Sequence, residues 1–189
     1  MASTKDKIIE TVIELLKNNV SFDDISMNKV AENVGIGKST IYEYFESKND
    51  LLSSATLRLA DCIISDTSSF DIDKYNFKES FIRQILALLK LREYKNFAFE
   101  FFKNNHNYLT EKKEVFAECL KKITDVLKDR FTIILDKGIT EKLIIKDKYY
   151  SESNMIKSLI IGAIVSNQNE QEDENLSVDV YNTILKLCN

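Results

Sequence analysis

The sequence predicts an all-α protein, because of its composition and the spacing of its apolar residues. Its 189 residues include no proline and only four glycines, so few positions favour tight turns and most favour helix. Apolar residues recur every three to four positions over several long segments, which is the period of an amphipathic helix. We therefore expect about nine helices, enough to bury a substantial core in a chain of this length.

Four helices are predicted in the first third of the chain, at about residues 4–18, 27–34, 38–45 and 48–65. Ser3 and Asp6 have the spacing of a capping box at the start of the first helix, and Ser47 and Asp50 have it at the start of the fourth. Gly35 ends the second helix. The fourth helix is long enough to connect two packed bodies.

Five further helices are predicted after a polar segment at residues 66–76, at about 77–91, 93–105, 111–137, 152–169 and 176–188. The acidic stretch 168–175 between the last two predicts a solvated loop. We find no internal repeat that would indicate a solenoid.

Metal, cofactor and catalytic sites are not predicted. Cys62, Cys119 and Cys188 are widely spaced and odd in number, which fits neither a disulfide framework nor a zinc site. His106 is the only histidine, and its polar surroundings favour a solvated side chain over a ligand contact. No glycine-rich phosphate loop or nucleophile arrangement stands out, so we expect no enzyme.

The N-terminal segment and the length of the apolar stretches predict a cytoplasmic protein without a membrane partner. The segment MASTKDKIIE lacks the apolar core of a signal peptide. No uninterrupted apolar stretch approaches the roughly 20 residues that cross a bilayer.

The second and third predicted helices, joined through Gly35 and Gly37, have the form of a helix-turn-helix. Its second helix would fit a major groove about 12 Å wide. Ile41 and Phe45 are four residues apart and can both face the core. Five side chains are then left to project: Lys38, Ser39, Thr40, Glu43 and Tyr44. On pattern alone, such a pair of helices also occurs in many helical bundles.

The run from residue 27 to residue 52, MNKVAENVGIGKSTIYEYFESKNDLL, closely resembles the DNA-binding signature of TetR-family transcriptional regulators. At motif level the resemblance extends from Ile8 to Leu59. It implies contacts with double-stranded operator DNA. The implied main contacts are Thr40, Tyr42, Tyr44 and Lys48, with Ser26, Lys38 and Ser39 as further phosphate or base contacts.

Three positions depart from the family pattern. Thr11 stands where a small alanine is usual, Gly37 where serine is common, and Glu43 lies among the contact residues. Glu43 could repel phosphates or accept a hydrogen bond from cytosine N4, which leaves base specificity open.

Charge argues mildly against DNA binding, since residues 1–50 hold six lysines and nine acidic residues, net −3. We therefore expect weak non-specific binding. Tyr42 could instead pack in the domain, and Lys48 could be solvated. For Lys48, however, the start of the fourth helix would itself attract a phosphate, whereas Thr40 and Tyr44 are better suited to base edges.

The C-terminal part is expected to bind a small, largely apolar effector and to form a homodimer. Aromatic residues crowd residues 77–137, either as ordinary core and interface or as the lining of a cavity. The residues predicted to line it are Phe81, Tyr94, Phe97, Phe101 and Phe116. Gly162 and Ala163 would let a second helix approach closely, which favours a dimer through about residues 152–188.

The sequence thus predicts a helix-turn-helix DNA-binding domain at residues 1–47 and a ligand-binding and dimerisation domain at residues 48–189. The expected function is a ligand-responsive regulator, a repressor released from a palindromic operator. Two alternatives stay open: a helical interaction protein that has lost DNA binding, and a small-molecule enzyme built in the helical core.

Overall fold

A computed structural model describes residues 3–18, 20–94, 112–166 and 169–189, and regular structure in these ranges is entirely helical. The all-α prediction is confirmed. The α-helices are α1 (Thr4–Lys17), α2 (Met27–Val34), α3 (Lys38–Tyr44), α4 (Lys48–Thr67), α5 (Phe77–Leu89), α6 (Lys112–Thr140), α7 (Lys146–Ser166) and α8 (Asp173–Cys188). Short 3₁₀ turns cover Ile72–Lys74, Lys90–Tyr94 and Glu170–Glu172.

The late helices differ from their predicted bounds. α7 begins at Lys146 rather than near residue 152, since the polar first turns are fixed by tertiary contacts: the Ile145 N–H donates to the Cys188 carbonyl at 2.9 Å, and Tyr149 packs against the core. α8 begins at Asp173, so the predicted acidic loop is partly helical. Acidic residues suit this position because a helix N-terminus carries positive dipole charge. The helix predicted at 93–105 lies almost wholly outside the described residues.

Contacts within the chain form two compact units. The first comprises residues 1–63 and 93–123, and the second comprises residues 64–92 and 124–189. These divisions differ from the domain boundary predicted between residues 47 and 48, which stays a prediction.

The first unit has a core to which α1, α2 and α3 contribute. α1 packs on α2, and α2 packs on α3. Fully buried side chains from all three helices meet there: Ile8, Val12, Val30 and Ile41. The predicted capping box at Ser3 and Asp6 is present, and the hydrogen bond from the Ser3 hydroxyl lowers the pKa of the Asp6 carboxyl. Glu10 and Arg58 tie α1 to α4 through an ion pair of 3.1 Å.

In the core of the second unit, α8 packs on both α5 and α7. The rings of Phe77, Phe81 and Tyr181 lie within 6.0 Å of one another, centre to centre. At Gly138 the backbone of α6 packs closely against the side chains of Ile144 and Phe77. A Cβ added there would lie 2.9 Å from Ile144 Cδ1 and 3.1 Å from the Phe77 ring. Among the described helices, none has the length and apolar character needed to cross a bilayer.

Candidate nucleic-acid interface

The predicted helix-turn-helix is formed by α2, the turn at residues 35–37, and α3. Ser26 caps α2, its hydroxyl accepting a hydrogen bond from the Lys29 N–H at 3.2 Å. Gly35 ends the helix with a φ of +77°, a left-handed conformation that glycine adopts without steric cost. The Ile36 N–H then donates to the Ala31 carbonyl at 3.0 Å. This local hydrogen bonding turns the chain and lets α3 begin at Lys38.

α3 buries one side and exposes the rest, as its apolar spacing predicts. Ile41 is fully buried, and Phe45, directly after the helix, is 1 % exposed. Tyr42 is 47 % exposed and Tyr44 is 38 % exposed. Lys38, Ser39 and Glu43 are exposed, and Thr40 is half-buried. Tyr42 is therefore not a core residue, and the predicted contact residues of α3 lie on one accessible helix.

Lys48 is the first residue of α4, and its ammonium is held near the link between α1 and α2. Its Nζ donates to the Asp23 carbonyl oxygen at 3.1 Å. Because an ammonium has three N–H donors, this bond orients Lys48 and still permits a phosphate contact. This contact could not be predicted from local sequence patterns, since the two residues are 25 positions apart.

Only half of the capping box predicted at the start of α4 forms. The Ser47 hydroxyl accepts from the Asp50 N–H at 3.1 Å. The Asp50 carboxylate accepts from the N–H of Glu46, not of Ser47, at 3.1 Å. The bond to Glu46 fixes the chain between α3 and α4, so Asp50 still serves to place the two helices.

Two departures from the family pattern are accommodated in the first unit. The Thr11 hydroxyl donates to the Lys7 carbonyl at 2.9 Å, which satisfies its polar group within α1. Gly37 precedes α3 in an extended conformation without a side-chain cap. At the other end of α3, Lys5 places its Nζ 5.4 Å from the centre of the Phe45 ring, a cation–π contact between α1 and the residue that follows α3.

The five residues predicted to bind an effector are only partly described. Phe81 is fully buried in the second unit. Tyr94 is 6 % exposed and belongs to the first unit, where the Lys17 ammonium lies 4.7 Å from its ring centre. Phe97 and Phe101 lie outside the described residues, as does the side chain of Phe116. The predicted cavity therefore stays a prediction.

An open groove of about 380 Å³ in the second unit contains none of these five residues. It is lined by Asp73, Ile133, Asp136, Lys137, Thr140 and Glu141. Lys137 Nζ already donates to the carbonyls of Ile72 and Tyr75 at 2.8 and 2.9 Å, and Glu141 accepts from the Phe77 N–H at 2.8 Å. These charged groups stabilise the local fold, and such a lining does not suit an apolar ligand.

Comparison with known proteins identifies the helix-turn-helix. Residues 16–55 match the family model of bacterial regulatory proteins, tetR family. Over 83 residues, 43 % of this chain and 39 % of the relative, the chain is 31 % identical to the HTH-type transcriptional regulator AlkX of Mycobacterium tuberculosis. An uncharacterized HTH-type transcriptional regulator of the same species is 25 % identical over 42 % of this chain and 35 % of its own length. The matched segment thus spans well under half of each curated relative.

Solved structures match over nearly the whole chain. A tetR-family transcriptional regulator from Streptomyces coelicolor has a TM-score of 0.69 at 13 % identity, covering 95 % of this chain and 80 % of that one. A bacterial regulatory protein in the tetR family from Rhodococcus has a TM-score of 0.68 at 14 % identity and full coverage of both chains. At these identities the likeness concerns the fold.

The α2–turn–α3 arrangement defines a helix-turn-helix protein. Residues 16–55 match the tetR family model, and the whole chain shares its fold with solved tetR-family regulators. The resemblance read from the sequence is confirmed. The matched proteins are named as transcriptional regulators, in agreement with the prediction that the chain is not an enzyme.

Proposed function

We propose that this protein is a DNA-binding transcriptional regulator that inserts α3 into the major groove. The proposal rests on one observation, that α3 has one buried apolar side and several accessible polar sides. Ile41 is buried, while hydroxyl, phenol and ammonium groups project from the other sides. A short helix held on its neighbours by one apolar side is the form in which helix-turn-helix proteins present a recognition helix.

The proposed contacts divide into base-reading and phosphate-binding groups. Thr40 and Tyr44 are assigned to base edges, with Tyr42, Lys38 and Ser39 as neighbouring contacts on the same helix. Lys48 and Ser26 are assigned to phosphates, because each lies at the start of a helix, where unpaired N–H groups favour an anion. The acidic balance of residues 1–50 makes the sequence-independent part of the affinity small.

Because Lys48 is assigned to phosphates and Thr40 to base edges, Lys48→Ala and Thr40→Ala should affect DNA binding differently. Lys48→Ala should weaken binding to every duplex by a similar factor and reduce the slope of log affinity against log salt by about one. Thr40→Ala should weaken the preferred duplex more than a scrambled one. Fluorescence anisotropy with the duplex selected from genomic fragments, at several salt concentrations, measures both effects.

Lys186→Ala is the matched control, since Lys186 is an exposed lysine in the last turn of α8, outside the proposed DNA contacts. Thermal unfolding of Lys48→Ala separates lost contact from lost stability, because the substitution also removes the bond to the Asp23 carbonyl. Identical effects of Lys48→Ala and Thr40→Ala on all duplexes would contradict the division of roles.

The proposal includes a homodimer formed by α7 and α8, within about residues 152–188. Met155 is 53 % exposed and Ile161 is 61 % exposed on α7. A Cβ added at Gly162 would have no atom within 4 Å, so a second helix could approach the backbone there. A two-fold dimer would present two copies of α3 to successive major grooves of a palindromic site, about 34 Å apart.

Gly162→Ala tests this dimer because its two expected effects differ in sign. In a single chain the substitution should raise stability by about 1 kcal/mol through helix propensity. At a closely packed helix pair the added methyl should weaken the dimer about tenfold. Sedimentation equilibrium measures the dimer dissociation constant, with Lys157→Ala at another exposed position of α7 as control. An unchanged constant for Gly162→Ala would argue against this interface.

We also propose that a small effector releases the protein from its operator. α4 runs without a break from Lys48 to Thr67, and these ends belong to the first and the second unit. An effector that binds better to one arrangement of α4 would shift the population and lower operator affinity. Equal operator affinity of the free and effector-saturated protein would refute this mechanism.

The rival function is a helical interaction protein without DNA binding, which the net negative charge of residues 1–50 favours. A mobility-shift experiment with the DNA upstream of the protein's own gene distinguishes the two. A specific shift supports the regulator, and absence of a shift at any salt concentration supports the rival. The proposed DNA-binding role also supports a cytoplasmic location, since a regulator must be in the same compartment as its operator.

A further inference from the structure

The outermost side chains of α3 are not the predicted base-reading residues Thr40 and Tyr44. Successive residues of a helix are about 100° apart, so Ser39 and Glu43, each two positions from the buried Ile41, lie on the opposite side from it. Both are exposed. Thr40 is half-buried and Tyr44 is 38 % exposed, as expected for residues on the flank.

This placement puts Glu43 at the centre of the face that would enter the groove. If Ile41 holds α3 on the protein, the side directly opposite Ile41 points towards the base edges. An acidic side chain there is unfavourable near phosphates, so it requires a compensating partner in the complex. Within the described ranges, Glu43 forms no hydrogen bond or ion pair, whereas the ammonium of Lys48 donates to the Asp23 carbonyl.

The chemistry of a carboxylate limits which base it can read. An ionised carboxylate only accepts hydrogen bonds, so it needs an amino group in the major groove. Cytosine N4 and adenine N6 are the two amino groups there. On adenine, the acceptor N7 lies beside N6 and repels a second carboxylate oxygen. Cytosine carries no acceptor of its own beside N4 at this edge, so cytosine is the better partner.

We propose that Glu43 determines sequence specificity by accepting a hydrogen bond from the N4 amino group of a cytosine in each operator half-site. This inference rests on the proposed function, since it requires α3 to lie in the major groove. It makes Glu43 a base-reading residue in addition to Thr40 and Tyr44.

The test compares duplexes selected from a random library by wild type, Glu43→Gln and Glu43→Ala. Wild type should enrich one cytosine per half-site. Glu43→Gln should enrich adenine at that position, because a glutamine amide pairs with both N6 and N7. Glu43→Ala should lose preference there and nowhere else. Against the wild-type duplex, Glu43→Gln should bind about tenfold more weakly, while its binding to a scrambled duplex should tighten.

A second measurement links the carboxylate to the amino group itself. A duplex that carries pyrimidin-2-one in place of the selected cytosine lacks the N4 amine. Wild type should lose affinity for it, whereas Glu43→Ala should bind both duplexes equally. Glu32→Ala is the matched control, because it removes an exposed carboxylate from α2 outside the proposed contacts, and it should lose affinity for the altered duplex as wild type does.

Two results would overturn the inference in distinguishable ways. If wild type selects a defined duplex and Glu43→Gln selects the same one while tightening all binding equally, Glu43 only repels phosphates and the inference alone is wrong. If wild type selects no duplex, the proposed function is wrong, and this inference is overturned with it.

Discussion

Phe81→Ala is expected to lower the free energy of unfolding by about 3–5 kcal/mol, the range for truncating a buried aromatic side chain. Phe81 is fully buried, and its ring lies 5.9 Å from Phe77, 6.1 Å from Phe131 and 6.0 Å from Tyr181, centre to centre. Truncation removes apolar burial and three ring contacts at once. Urea unfolding followed by circular dichroism measures the loss.

This result also tests the predicted effector-binding role of Phe81. A ring that lines a cavity has contacts on one side only, so its truncation would cost much less. A loss of about 1 kcal/mol or less would therefore favour a cavity over a packed core. Tyr42→Ala is the control for an aromatic truncation at an exposed site, and we expect it to change stability by about 0.5 kcal/mol or less while weakening DNA binding.

The first three helices could be predicted because their determinants are local. The capping pair Ser3 and Asp6 is three residues apart, and Gly35 ends α2 by its own backbone conformation. The accessibility of the predicted contact residues on α3 followed from the same periodicity that buries Ile41. Local signals thus gave both the scaffold of the candidate interface and the residues that project from it.

The contacts that fix Lys48 and the start of α7 could not be predicted, because they join distant parts of the chain. Lys48 binds a carbonyl 25 residues earlier, and α7 starts next to the Ile145–Cys188 bond. Backbone carbonyls carry no sequence signature. The function of the aromatic residues was equally open, since a packed core and an apolar cavity favour the same side chains. Phe81 shows this ambiguity directly.

A buried polar cluster at the end of α4 could not be predicted from the sequence either, because its hydrogen bonds also join distant residues. Gln84 is fully buried, donates from Nε2 to the Thr67 carbonyl at 3.1 Å, and accepts from Arg130 Nε at 2.7 Å. Arg130 also donates to the Phe70 carbonyl at 3.2 Å, and its Cζ lies 4.7 Å from the centre of the Phe70 ring. Burial lowers the pKa of Arg130, so its charge depends on these acceptors for compensation.

Gln84→Leu is therefore expected to lower the free energy of unfolding by about 2–4 kcal/mol. Leucine has a similar volume but neither donates to Thr67 nor accepts from Arg130, so the guanidinium loses its side-chain acceptor in a partly desolvated site. Arg130→Met should recover part of this loss in the double variant, because it removes the uncompensated charge as well. The coupling energy from the double-mutant cycle should be about 1–3 kcal/mol.

Gln171→Leu provides the control, since Gln171 is exposed and its replacement should leave stability nearly unchanged. If the effects of Gln84→Leu and Arg130→Met simply add, the two side chains do not act as one unit. A measured coupling would mean that a charge-assisted hydrogen bond from Arg130 holds Gln84, the side chain that donates to the Thr67 carbonyl at the end of α4. Under the proposed release mechanism, an effector that displaced Arg130 from Gln84 would act on the carboxyl end of α4, the helix whose first residue is Lys48.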